Sequence, residues 1–363
     1  MKNKMATQKR IGFIDIAKAL GIIAVMMSHG IGFPFGTGYY FCASFIPLFF
    51  VLSGYTYKSG RTFGENIKRK ISRIGVAYFF YSGVLLVLSI GVKFALHEEI
   101  TLRYLRDAII GVVYSTNSLY YPHTVKPNIT FFIIQNGPLW FLTCFMIGSV
   151  LFYAAARFLK SRMGFLLTFL GGVGMTVLLS FLPIRLPWSM DTAFAGMSFM
   201  VFGYYLRWEK AFEKCSKWYW AILTVAAYIG LCSLNPGIAM SQREYGPYGI
   251  GSIFLFFIIG MAGALCYIII SKLLRHIPLI KAWMVFIGQH TLPILAFHVF
   301  IFLCVDTVLS MMGIAYIERG AVYWLVGAFK IVLAIGICCP GSAFWQTGRI
   351  KIWERVSKNY NKQ

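Results

Sequence analysis

The sequence predicts an all-α fold, a polytopic integral membrane protein with about ten transmembrane helices, and three observations predict it. The first is composition: 58% of the 363 residues are hydrophobic and only 13% are charged, where a soluble domain carries about a quarter charged residues. Mean hydropathy is +0.70. The second is a repeated pattern of apolar runs near the ~20 residues that cross a hydrocarbon core, separated by charged or Pro/Gly-rich breaks. The third is where the charge lies. A net charge of +22 would suit a nucleic-acid binder, but the basic residues form short clusters between apolar runs, as the flanks of membrane spans do. Membrane lipids, not nucleic acid, are the expected surroundings.

Spans are expected near 11–31, 41–57, 76–96, 138–156, 164–182, 192–207, 218–234, 250–270, 283–310 and 321–340. The second and sixth are short, and 283–310 is long enough to be tilted or broken at Pro293. With the N-terminus in the cytoplasm, the inside segments are 1–10, 58–73, 157–162, 207–217, 272–281 and 349–363. They hold 25 of the 34 Lys and Arg residues, against 7 outside. This is the asymmetry of the positive-inside rule, and an even number of spans returns the C-terminus to the cytoplasm. The chain reads as a single transmembrane domain over 1–363 with short cytoplasmic tails.

The N-terminus has the basic start and apolar stretch of a signal peptide. Asp15 and Lys18 interrupt that stretch and no small-x-small cleavage site follows, so it is expected to stay as the first span. In the segment 97–137, the part Thr101–Tyr114 is too short and too charged to span, and reads as an interfacial or re-entrant helix on the outer side. Asn128-Ile129-Thr130 fits a glycosylation sequon, a three-residue pattern that recurs by chance. The eight cysteines have no metal-type spacing and read as small packing residues.

Function in such a chain is sought among polar groups inside the bilayer, where an ionisable side chain costs about 2.5–3.5 kcal/mol on insertion scales. In the first span, Asp15 and Lys18 are three apart and neighbours on one face. His29 follows Lys18 by eleven residues, three turns on along the same face but roughly 16 Å away. The two cannot touch, and must serve different parts of one extended ligand or different tasks. The plainer reading makes Asp15–Lys18 a self-neutralising pair near one edge and His29 a snorkelling residue at the other.

The second span carries Phe49-Phe50-Val51-Leu52-Ser53-Gly54-Tyr55, and a basic run with Lys68, Arg69, Lys70 and Arg73 follows. Such a run is a topology signal, and its arginines also suit an anionic ligand through bidentate hydrogen bonds. Asn136-Gly137-Pro138-Leu139-Trp140-Phe141-Leu142 opens the fourth span, where Trp140 is either a lipid anchor or a substrate platform. In the ninth, 288–298, His290 and His298 are eight apart and expected on one side, with His298 near mid-membrane. No carboxylate or cysteine at ligand spacing accompanies them, so no metal is expected.

Together these segments resemble the membrane acyltransferase 3 family, stand-alone O-acyltransferases of bacterial surface glycans. The resemblance rests on Asp15…Lys18-x10-His29, Phe-Phe-Val-Leu-Ser-Gly-Tyr with the basic run through Arg73, Gly-Pro-Leu-Trp-Phe-Leu in the fourth span, and Leu-Pro-Ile…His298 in the ninth. It covers residue 10 to about 345, and Lys18 stands where many relatives have Arg. It implies a bacterial cytoplasmic (inner) membrane enzyme that takes an acyl group, acetyl first among candidates, from cytoplasmic acyl-CoA. The implied acceptor is a hydroxyl of a surface polysaccharide or lipid-linked sugar. His29 would be the general base, with Lys18 charged and oriented by Asp15. Arg69, Arg73 and Ser53 would hold the donor, and Trp140, Tyr55 and His298 the acceptor; Ser53, Tyr55 and Trp140 also suit an oxyanion. Buried Asp, Lys and His also suit a proton-coupled carrier, so a glycan or small-anion transporter or flippase is the rival reading. No paired broken helices in matching halves support it. A relative with lost or altered chemistry, such as a membrane-sensing domain, is a third.

Overall fold

A computed structural model describes residues 12–30, 43–116, 137–214, 218–235, 238, 240, 243–314 and 320–360. The helices are α1 (Gly12–Gly30), α2 (Phe45–Tyr55), α3 (Phe63–Ala95), α4 (Leu102–Tyr114), α5 (Trp140–Ala155), α6 (Arg162–Ser180), α7 (Met190–Trp208), α8 (Tyr219–Leu234), α9 (Ile250–Leu274), α10 (Pro278–Gln289), α11 (Thr291–Met311) and α12 (Ala321–Tyr360). The sequon at 128–130, Asn136 and the N-terminal basic cluster lie outside the described residues.

The fold is all-α, and each expected span has a helix over it. Among the described residues, seven helices are long and apolar enough to cross a membrane, namely α1, α3, α5, α6, α9, α11 and α12, and α2 and α8 are shorter apolar helices. Their outward faces carry exposed apolar side chains such as Val87, Leu167, Leu325 and Val332, a surface suited to lipid and not to water.

Local chemistry explains the boundaries. In α2, Pro47 sits in the first turn, where a missing N–H costs nothing, and Thr56 Oγ1 closes the last turn by donating to Leu52 O at 2.8 Å. In α4, the Thr101 side chain accepts from Tyr104 N at 3.1 Å, which caps the expected non-spanning helix. Asp191 accepts from Thr192 N at 3.0 Å at the start of α7, a carboxylate at the positive end of a helix.

Two expectations are corrected. The basic run 58–73 is not a loop throughout: helix starts at Phe63, because Thr62 and Glu65 form a reciprocal capping box (Glu65 N to Thr62 Oγ1 3.3 Å, Thr62 N to Glu65 Oε2 2.8 Å). The 33 residues of α3 extend about 50 Å, well beyond a ~30 Å core, so its basic first turns stand outside the membrane. The stretch 283–310 breaks at His290, between α10 and α11, and Pro293 lies in the first turn of α11. His290 therefore sits in the break, with Nδ1 2.7 Å from Phe286 O, and does not share a helix face with His298.

Packing uses small residues at crossings, as helices in lipid do. A Cβ on Gly54 of α2 would fall 1.9 Å from Met200 O of α7, and one on Gly203 of α7 would fall 2.0 Å from Val51 O. This reciprocal contact seats the glycine of the Ser53-Gly54 motif and orients Ser53. Between α12 and α11, Lys330 pairs with Asp306 at 2.5 Å, so this buried lysine has a counter-ion on the neighbouring helix.

Candidate functional site

Asp15 of α1 is buried, and Lys18 Nζ lies 3.0 Å from its Oδ1. Both face a cavity of about 600 Å³, a volume suited to a small-molecule site. From α1 its wall takes Ile14, Asp15, Lys18, Ile22 and Val25, one face of the helix along which Asp15, Lys18, Ile22 and Val25 run as a stripe at 3-4-3 spacing. His29 is the next residue on that stripe. The other walls come from Phe49, Leu52, Ser53 and Thr56 of α2 and its end, Phe141, Leu142 and Phe145 of α5, and Gly288, Gln289, Thr291, Leu292 and Leu295 around the α10–α11 break. The break thus places two polar side chains, Gln289 and Thr291, opposite the Asp15–Lys18 pair.

A second cavity, about 330 Å³, adjoins it at the basic end of the bundle. It is lined by five basic side chains, Lys58, Arg61, Arg69, Lys70 and Arg73, together with Tyr57, Asn66 and Tyr153, and by no carboxylate; burial, with the Arg73 charge nearby, pulls the pKa of the Lys70 ammonium down to about 7. The two cavities share Ser53, Thr56, Arg73, Ile74, Phe145 and Leu292. The two cavities therefore adjoin, one at the basic end of the bundle and one at the Lys18 level of α1.

The mouth is held by specific contacts. A π-helical turn over Ile71–Gly75 carries Arg73; such insertions recur at functional sites. Lys70 Nζ sits 4.3 Å from the centre of the Phe145 ring, a cation–π contact. Arg207 of α7 donates to Tyr57 O at 2.7 Å and Tyr55 O at 3.4 Å, fixing the α2–α3 connection that bears Thr56 and Lys58. Tyr57 stacks on Tyr153 at 5.7 Å and 30°.

Near the far end of the stripe two histidines meet. The His29 ring, in the last turn of α1, lies 5.3 Å between centroids from that of His298 in α11. His298 is fully buried, and its Nδ1 is 2.9 Å from Ile294 O and 3.0 Å from Leu295 O. Among the described residues no three His, Cys, Asp or Glu side chains gather as metal ligands.

The structure brings Asp15, Lys18, Ser53, Arg69 and Arg73 to two adjoining cavities, whereas His29 and His298 meet each other further along α1 and line neither cavity. It does not bring in two others. Tyr55 packs between Phe13 (6.2 Å) and Phe212 (5.3 Å), and Trp140, half-buried at the start of α5, lies edge-to-face with Phe141 at 6.3 Å; neither lines the two cavities. Sequence reasoning missed Thr56, Lys58, Arg61, Gln289 and Thr291. Lys58 and Arg61 had counted only as topology charges; the Thr62-x-x-Glu65 pattern was the signal that a helix begins beside them.

A family model described as an acyltransferase domain, that of the acyltransferase 3 family, matches residues 11–342. No curated protein and no solved structure matches this chain.

Proposed function

The chain belongs to the acyltransferase 3 family, and from that premise we propose that this multi-pass membrane acyltransferase moves an acyl group, acetyl first among candidates, from acyl-CoA to a hydroxyl of a surface polysaccharide or lipid-linked sugar. It works in the bacterial cytoplasmic membrane with both termini in the cytoplasm, the side that the excess of Lys and Arg favours.

One observation carries this reading: a mouth lined by five basic side chains adjoins, through shared walls, the apolar-lined cavity along α1. A donor with phosphates at one end, a long thin arm and a reactive thioester at the other matches that sequence of environments. Arg61, Arg69 and Arg73 are planar forks suited to phosphate oxygens. The arm follows Ser53, Thr56 and Leu292 past Lys18, which Asp15 orients. Further along that face, His29 takes the proton of the acceptor hydroxyl as its oxygen bonds to the acyl carbon. The carbon–sulfur bond then breaks, and the imidazolium returns the proton to the departing thiolate, giving the ester and free CoA thiol.

The deciding experiment is to incubate the purified protein in lipid with radiolabelled acetyl-CoA. An acyltransferase releases CoA with time and passes label to acceptor or, slowly, to water. Label that is bound or moved between compartments with its thioester intact would return the carrier reading.

A further inference from the structure

The His29–His298 pair holds more information than proximity. A backbone carbonyl only accepts, so the two carbonyls beside His298 Nδ1 require that nitrogen to carry the proton. In the neutral ring Nε2 then carries the lone pair. That atom is buried and has no hydrogen-bond partner among the described residues, a state that is unfavourable while unmet. The group beside it is His29, in the last turn of α1, its ring 5.3 Å between centroids from that of His298. The approach of the two helices is built in: a Cβ on Gly30 would fall 2.6 Å from the Phe302 ring, and Phe302 packs edge-on against His298 at 5.7 Å.

We propose that His298 is a positioning residue whose Nε2 accepts a hydrogen bond from one ring nitrogen of His29, fixing its tautomer and leaving the other nitrogen as the base. The proposal rests on the reading of His29 as the base. A buried acceptor, tethered to its own backbone, orients the imidazole as the third member of a nucleophile–base relay does. His298 itself touches neither donor nor acceptor.

The test uses the full chain in lipid with radiolabelled acetyl-CoA, water serving as the slow acceptor. His298→Asn keeps a donor at the Nδ1 position but is too short to reach His29. It is expected to lower kcat about 10–100-fold, as loss of an orienting partner does, with KM for acetyl-CoA within twofold. His298→Gln, whose amide oxygen reaches the Nε2 position, is expected to recover most of that loss. In a His29→Gln background, His298→Asn is expected to add nothing, because the two act as one unit. Full kcat in His298→Asn, or equal damage from Asn and Gln, or losses that multiply with His29→Gln, would overturn the positioning role. Should the Asn variant not fold, His298→Gln decides alone: near-normal kcat supports the role, and a kcat as low as that of His29→Gln overturns it. His29→Gln at full rate would remove the base, and this proposal with it; an inactive His29→Gln beside a fully active His298→Asn would remove only the positioning role.

Discussion

Gly288 of α10 lies against the backbone of Asp15 in α1, so closely that a Cβ at 288 would fall 1.8 Å from the Asp15 carbonyl oxygen. The crossing sets the acid of α1 beside the α10–α11 break. Gly288→Ala has no flexible side chain to push aside, only backbone, and is expected at or above the ~1–3 kcal/mol of an overpacked contact. Thermal unfolding in detergent should show a lowered transition. Gly171→Ala in α6, where an added methyl meets nothing within 4 Å, should leave the transition unchanged or raise it slightly.

The same crossing shows what a sequence can and cannot display. Apolar run length located the helices, and the Asp15–Lys18 contact was legible because three-residue spacing places both on one face. Near-neighbour chemistry was legible in principle at α3, where Thr62 and Glu65 announce the helix, but the run of positive charge reads first as a topology signal. The break at His290 was anticipated a few residues late because Pro293 draws attention to itself, although proline is tolerated in a first turn. The cavities were not legible at all. Ser53, Phe145 and Leu292 line one wall from three distant parts of the chain, and the His29–His298 contact joins residues 269 positions apart. Such meetings are set by how whole helices cross, which no local pattern records.

Arg73 lines both cavities and Arg69 only the outer one, so their loss should differ in degree. A hydrogen bond to a charged group contributes about 1.5–3 kcal/mol, and 1.4 kcal/mol is about tenfold in affinity. Arg73→Ala is expected to raise KM for acyl-CoA tenfold or more, Arg69→Ala less, and Arg73→Lys should recover part by restoring charge without the fork. Saturation curves with acetyl-CoA read this directly. Unchanged KM in both alanine variants would return the run to a topology signal.

Lys18→Gln strands the buried Asp15 carboxylate, and breaking one side of such a pair is strongly destabilising. Reduced folded yield is therefore expected, along with loss of rate. The double variant Asp15→Asn, Lys18→Gln removes both charges and should recover yield without recovering acyl transfer. Lys18→Arg keeps the charge and should fold and work. Equal yields for the single and double variants would show that the pair does not stabilise the helix.

The proposed sidedness predicts that Lys160→Cys, beside the start of α6, is labelled only from the cytoplasm, and Arg103→Cys, on α4, only from outside. Both positions are exposed, so a membrane-impermeant thiol reagent on intact cells, in a Cys-free background, reads them. The opposite pattern would invert the topology and place the cationic mouth away from cytoplasmic acyl-CoA.

The last prediction concerns His29. His29→Gln removes the titrating imidazole and keeps a polar side chain in the last turn of α1, so insertion and folded yield should persist. The donor's phosphates are held at the basic end of the bundle by Arg69 and Arg73, and acyl-CoA binding should persist as well. A general base is worth about 10²–10⁴ in rate, and that is the expected fall in kcat with KM for donor little changed. The separation of the two effects is the informative part. If His29 only packed against His298, His29→Gln would alter stability and leave kcat of the folded fraction intact. If it bound the donor, KM would rise instead. A normal rate in the folded His29→Gln protein would take the proton transfer away from His29, and His298, the imidazole beside it among the described residues, would be the next group to replace.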